Sequence, residues 1–140
     1  MKRRGQREQI FKLLFRADFY EPGEMQEQAE MFFKSGDLTV TQDDRAYITA
    51  RLEDILEKLP EIDRKLEDSI EGWKLSRVGK VEKTLLRLAV YELDYDEEIP
   101  TGVAISEAVE LSRKYGQENA ASFVNGILAR YVRGRGAENA

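Results

Sequence analysis

Apolar residues recur at intervals of three and four along almost the whole chain, and no stretch alternates as a half-buried strand would. That spacing predicts a fold built from helices alone. Ile10, Phe11, Leu13, Leu14, Phe15 and Ala17 predict a first helix over about 6–20, ended by Pro22-Gly23. Met25, Ala29 and Phe32 predict a second over 24–34, before a loop at Ser35-Gly36-Asp37. Thr41 and Asp44 have the spacing of a capping box, with aspartate in the usual Glu/Gln place. They open a helix carrying Ile48, Leu52, Ile55 and Leu59. Pro60 suits the first turn of a further helix, because its missing N–H costs nothing there. Ile62, Leu66, Ile70 and Trp73 line that helix, and Gly72 stops it.

Val78, Val81, Leu85 and Leu88, with Leu86, Ala89 and Leu93 on an adjoining stripe, make the next helix apolar over much of its circumference. It is expected to be the most buried. The acidic stretch Glu92 to Glu98 reads as a solvated loop between helices. Beyond Pro100, Ala104, Ala108, Leu111 and Tyr115 repeat at four, three and four, with Gly116 at the position of a left-handed C-terminal residue. Asn119 is placed to cap a last helix lined by Phe123, Val124, Ile127, Leu128 and Tyr131. Gly126 inside it predicts a close helix crossing. The tail from Gly134 reads as disordered. The fold class is therefore all-α: a compact bundle of about seven helices, divisible near 36–41 or 72–78.

The 140 residues are enough to bury a core without a staple. With no cysteine there is no disulfide framework, zinc–thiolate site or thiol nucleophile, which fits a reducing compartment. The absence of histidine removes the commonest general base and metal ligand. Asp94, Asp96 and Glu98 lack the glycine turn of a calcium loop, and no phosphate-cradling glycine motif is present. Neither an enzyme nor a metal or cofactor site is expected. The longest unbroken apolar run, Leu88-Ala89-Val90-Tyr91, cannot span a bilayer, and the start of the chain lacks a leader's apolar stretch. A cytoplasmic protein is expected.

The net charge of −5 is segregated. Residues 1–16 carry +5, residues 17–129 carry −12 and residues 130–140 carry +2. A basic head on an acidic body suits a localised contact with a polyanion; the alternative is a frayed, solvated terminus. Arg3, Arg4 and Arg7 fall in or just before the first helical turn, where the dipole disfavours cations, a local conflict that points to function. Arginine forks bind phosphate oxygens in pairs, so this end suits a nucleic-acid backbone. Arg133-Gly134-Arg135-Gly136 has the look of an RNA-touching segment but reads more simply as a disordered end.

Several motifs follow in order: Val81-Glu82-Lys83-Thr84-Leu85-Leu86-Arg87-Leu88-Ala89-Val90-Tyr91-Glu92-Leu93, Pro100, Val103 to Leu111, Lys114-Tyr115-Gly116 and Phe123-Val124-Asn125-Gly126-Ile127-Leu128. Together they resemble the NusB family of bacterial transcription antitermination factors. The arginine-rich start with Arg7-Glu8 is similar too. Residues 20–75 match in pattern only, apart from Ile62-Asp63. The resemblance implies two helical subdomains, about 1–75 and 76–133, with a disordered tail over 134–140. It implies pairing with NusE, a small-subunit ribosomal protein, binding of boxA RNA, and work within the RNA polymerase antitermination complex in ribosomal RNA operons. No enzyme activity, cofactor, metal or membrane is implied, and some family members self-associate as homodimers when free. By position, Lys2, Arg3, Arg4, Arg7, Arg87, Asn119 and Phe123 match RNA-binding positions, and Phe15 and Glu82 match the side facing NusE.

There are simpler readings of the same residues. Phe15 and Phe123 suit a core, Glu82 an ordinary helix surface, and Asn119 a cap alone. Ser106 stands where the family often has asparagine, and Gly5-Gln6 interrupts the arginine run. Two other functions fit the pattern: a helical accessory domain related to the N-terminal domains of ribosomal RNA methyltransferases, and a protein-only adaptor.

Overall fold

The computed structural model describes residues 1–35, 40–70, 72 and 74–139, with 136–139 described as backbone alone. Among the described residues it has six α-helices and no strand. They are α1 (Arg3–Phe15), α2 (Met25–Ser35), α3 (Gln42–Ser69), α4 (Lys80–Tyr95), α5 (Thr101–Tyr115) and α6 (Ala120–Asn139). Short 3-10 turns stand at Arg16–Asp18, Pro22–Glu24 and Leu75–Arg77. No described helix is long and apolar enough to cross a membrane. Gly36, Asp37 and Trp73, assigned above to a loop and a helix face, lie outside the described residues.

The chain forms two compact units, Met1–Glu57 and Lys58–Ala140. This division falls inside α3, where the second half of the helix is tied to unit 2. Asp63 pairs with Arg87 of α4, Lys65 with Asp94, and Glu61 accepts from Tyr95.

In unit 1, Ile10, Phe11, Leu13 and Leu14 are the buried apolar face of α1, Met25 and Ala29 that of α2, and Ile48, Leu52 and Ile55 that of α3. The first helix starts earlier and ends earlier than its spacing predicts. It ends at Phe15 because the chain tightens into the 3-10 turn Arg16–Asp18, where Phe19 N–H donates to the Arg16 carbonyl at 2.9 Å. Arg16 pins that turn by donating to Gln28 Oε1 at 3.2 Å. The start of α3 is the expected capping box: Asp44 N–H donates to Thr41 Oγ1 at 3.0 Å, and Thr41 N–H to Asp44 Oδ2 at 3.4 Å.

The two helices expected on either side of Pro60 are one. Proline inside a helix removes a hydrogen bond and costs about 3 kcal/mol. Ile48, Leu52, Ile55, Leu59, Ile62 and Leu66 nevertheless keep intervals of four and three straight through it. Ile55, Ile62 and Leu66 are fully buried, so packing of an unbroken stripe outweighs the local penalty.

In unit 2, α4, α5 and α6 pack against one another. Every residue of α4 from Lys83 to Glu92 is buried, as its all-round apolar pattern predicts. The acidic stretch after it is not simply solvated. The Asp94 carboxylate is largely buried and accepts from Lys65 Nζ at 3.1 Å, from Arg135 Nη1 at 2.9 Å and from the Tyr131 hydroxyl. Burial pushes this carboxyl up, but those three hydrogen bonds outweigh it and hold the pKa below the ordinary value. Burial and the same carboxylate push the Tyr131 phenol strongly up. Arg135 also donates to the Leu93 carbonyl at 2.9 Å, closing the end of α4. Arg135 thereby ties α6, which runs to Asn139, to the end of α4.

Two glycines differ from expectation. Gly116 follows α5 in extended and not left-handed backbone, with φ −90° and ψ 176°. It is needed for close approach: a Cβ there would overlap Ala120 Cβ and stand 2.7 Å from the Ser112 carbonyl. Gly126 marks no helix crossing; it is exposed, with nothing within 4 Å of a built Cβ. Gly126→Ala is therefore expected to stabilise the chain by about 0.5–1 kcal/mol through helix propensity alone, measurable by urea denaturation.

Candidate nucleic-acid interface

The basic head is helical. Lys2 is the N-cap of α1, so Arg3, Arg4 and Arg7 all lie within its first two turns. Lys2, Arg3 and Arg4 are exposed and Arg7 is half-buried. The first turn of α1 contains no acid of its own. A carboxylate reaches this end from α3 instead: Asp44 Oδ1 accepts from Gln6 Nε2 at 2.9 Å, and Oδ2 lies 3.4 Å from the Met1 ammonium. Gln6 in turn accepts from Arg3 Nη1 at 2.7 Å through its Oε1. The cap of α3 thus fixes the start of α1, and the arginines stand on an anchored turn and not on a frayed end.

The Gln6 side-chain hydrogen bond, with those from Thr41, holds Asp44 below the ordinary carboxylate value of 3.8 despite burial. A carboxyl depressed in the folded state adds stability that is complete above its unfolded pKa and lost as pH falls through the folded one. Acid unfolding of unit 1 is therefore expected to begin below about pH 4. Asp44→Asn should flatten the pH dependence there, read by circular dichroism across an acid titration.

In unit 2 the structure separates the sequence candidates. Arg87 is 7% exposed, and Asp63 holds it in a bidentate fork, Nε to Oδ1 at 2.8 Å and Nη2 to Oδ2 at 2.7 Å. It is a largely buried cation held by the unit itself, in contrast to the exposed arginines of α1. Asn119 is exposed immediately before α6, and its carbonyl accepts from Phe123 N–H at 3.1 Å. That is the first hydrogen bond of α6. Phe123 is half-buried one turn further on. Glu82 folds back over Gly79, and its Oε1 would lie 3.5 Å from a Cβ built on Gly116, so its carboxylate sits where α4 begins and α5 ends.

Phe15 belongs to an aromatic ladder on unit 1. Its ring centroid is 6.4 Å from that of Phe11 and 5.4 Å from that of Phe19. The ladder runs from buried Phe11 to Phe19, which is 55% exposed, with Tyr20 and Met31 also exposed. The sequence reading missed Phe19, though its i+4 spacing from Phe15 was visible. It also missed Tyr47, Arg51 and Asp44 around the basic head, because they come from another helix.

Among the described residues, an all-helical scaffold presents an anchored arginine turn and an exposed aromatic ladder, the features by which a binding protein would meet a polyanion and a protein surface. The comparisons with known proteins give the family. The model of the NusB family matches residues 4–133. The transcription antitermination protein NusB of Lachnoclostridium phytofermentans is 47% identical over 132 residues, covering 94% of this chain and 99% of that protein. Its counterpart from Agathobacter rectalis is 42% identical over 133 residues, covering 94% and 100%. Among solved structures, T. maritima NusB superposes with a TM-score of 0.83 at 34% identity, covering 95% of this chain and 92% of that one. A chain from the antitermination factors NusB and NusE in complex with double-stranded RNA gives 0.77 at 30%, covering 94% and 96%. The chain belongs to the NusB family.

Proposed function

We propose that this chain is a cytoplasmic transcription antitermination factor. It binds boxA-type single-stranded RNA together with NusE and promotes read-through by RNA polymerase in ribosomal RNA operons. The observation that carries the reading is the arginine turn of α1, which a family member keeps exposed and anchored through Gln6 and Asp44 on an otherwise acidic chain. Lys2, Arg3, Arg4 and Arg7 supply phosphate contacts. Asn119 and Phe123 supply an amide and a ring of the kind that reads unstacked bases. Phe15, with Phe19 beside it, and Glu82 face the protein partner. The acidic body limits stray RNA binding, so a partner that brings further RNA-binding surface acts as a specificity device.

The test is RNA affinity with and without NusE across a salt series. Four phosphate contacts give log K a slope of about −3 against log salt. A slope near zero, or recovery of NusE without RNA, would favour the protein-only adaptor. Methyl transfer to ribosomal RNA in a reconstituted mixture would favour the accessory-domain reading.

A further inference from the structure

The guanidinium of Arg3 does not stand alone on the surface of α1. Its carbon lies 3.9 Å from the centroid of the Tyr47 ring, which α3 presents half-buried beside the start of α1. One turn further along α3, Arg51 donates from Nη2 to the Tyr47 hydroxyl at 2.9 Å, with its guanidinium carbon 5.3 Å from the same centroid. A single ring therefore organises two cations that come from two helices and lie far apart in sequence. Stacking uses the face of a guanidinium, while its N–H donors lie in the plane. Arg3 commits one of those donors, Nη1, to Gln6. Its stacked geometry leaves the in-plane edge as the part an oxyanion would meet.

We propose that Tyr47 is a positioning residue of the RNA-binding face, holding Arg3 and Arg51 as a pair and making Arg51 a phosphate contact outside the N-terminal arginine cluster. The inference rests on the RNA-binding reading above and deepens it. A long arginine at the start of a helix samples many rotamers, and binding must restrict them. A ring that has already selected one rotamer removes that restriction from the binding step, so its loss weakens RNA binding without touching RNA itself.

The experiment measures binding of a boxA-type single-stranded oligonucleotide to the full chain with NusE, at several salt concentrations, for Tyr47→Leu, Tyr47→Phe and Arg51→Gln. Arg51→Gln should make the log–log salt slope shallower by about 0.7, the value of one phosphate contact. Tyr47→Leu should weaken binding by about tenfold and make the slope shallower by a similar amount or more. Tyr47→Phe, which keeps the ring under Arg3 but removes the hydroxyl that holds Arg51, should bind between Tyr47→Leu and the wild type, recovering the Arg3 share alone. A purely structural tyrosine would lower the melting temperature and leave the slope alone. If the wild type binds with a steep slope while Arg51→Gln and Tyr47→Leu match it in slope and affinity, the pairing is refuted and the RNA reading stands. If the wild type itself shows no salt-dependent RNA binding, both fall. Should Tyr47→Leu fail to fold, Arg51→Gln still decides the matter.

Discussion

Reversing Arg3, Arg4 and Arg7 to glutamate together abolishes boxA RNA binding and leaves the helical fold in place. Three of the four basic residues assigned to phosphate become acidic, so counterion release is lost and repulsion replaces it. The expected loss is about a thousandfold or more near physiological salt, with the salt slope falling from about −3 towards zero. The fold should tolerate the change. Ile10, Leu13 and Leu14 carry the burial of α1 and are untouched, while the substituted positions are exposed or half-buried. Glutamate in a first turn is also favoured by the helix dipole, by about 0.3–1 kcal/mol. Fluorescence anisotropy with labelled RNA reads the loss, and circular dichroism reads the fold. An affinity equal to that of the wild type in a folded triple variant would remove the basis of the proposed function.

What could be read in the sequence was whatever depends on neighbours along the chain. Helical spacing located all six α-helices, though not their bounds, because burial of one face imposes intervals of three and four whatever the partner is. The Thr41–Asp44 cap was visible for the same reason, and so were the consecutive arginines of the head. Pro60 suits a helix start by the local rule, yet the stripe from Ile48 to Leu66 keeps its phase through it, and the longer pattern prevails. The remaining differences are between residues distant in sequence. Asp94 looked like one acid in a solvated run, yet Lys65, Tyr131 and Arg135 converge on it. Asp44 looked like a cap and is also the anchor of α1. Tyr47 and Arg51 gave no signal beside the head because α3 brings them there. Gly126 misled in the opposite way: its helical cost suggested a crossing, and the structure shows open space.

Arg87 is the sharpest of these cases, because its motif pointed to RNA and its surroundings point to stability. Asp63→Ala is expected to destabilise the chain by about 3–5 kcal/mol, since a largely buried guanidinium would lose the carboxylate that compensates its desolvation. The lower end is the better expectation, because the Asp63 side chain is 30% exposed and water relaxes around the gap. For a chain of this size a 3 kcal/mol loss lowers the melting temperature by about 10 °C. Removing both charges, as Asp63→Ala with Arg87→Leu, should recover much of the loss, because no desolvated charge is then left behind. Thermal unfolding of the two single variants and the double variant forms the cycle that isolates the pair. The same variants separate the two roles assigned to Arg87. If it were an RNA ligand held in reserve, Asp63→Ala would release a cation and tighten RNA binding at temperatures where the protein is folded. A structural Arg87 leaves RNA affinity unchanged there while stability falls, and unchanged stability in Asp63→Ala would overturn that assignment.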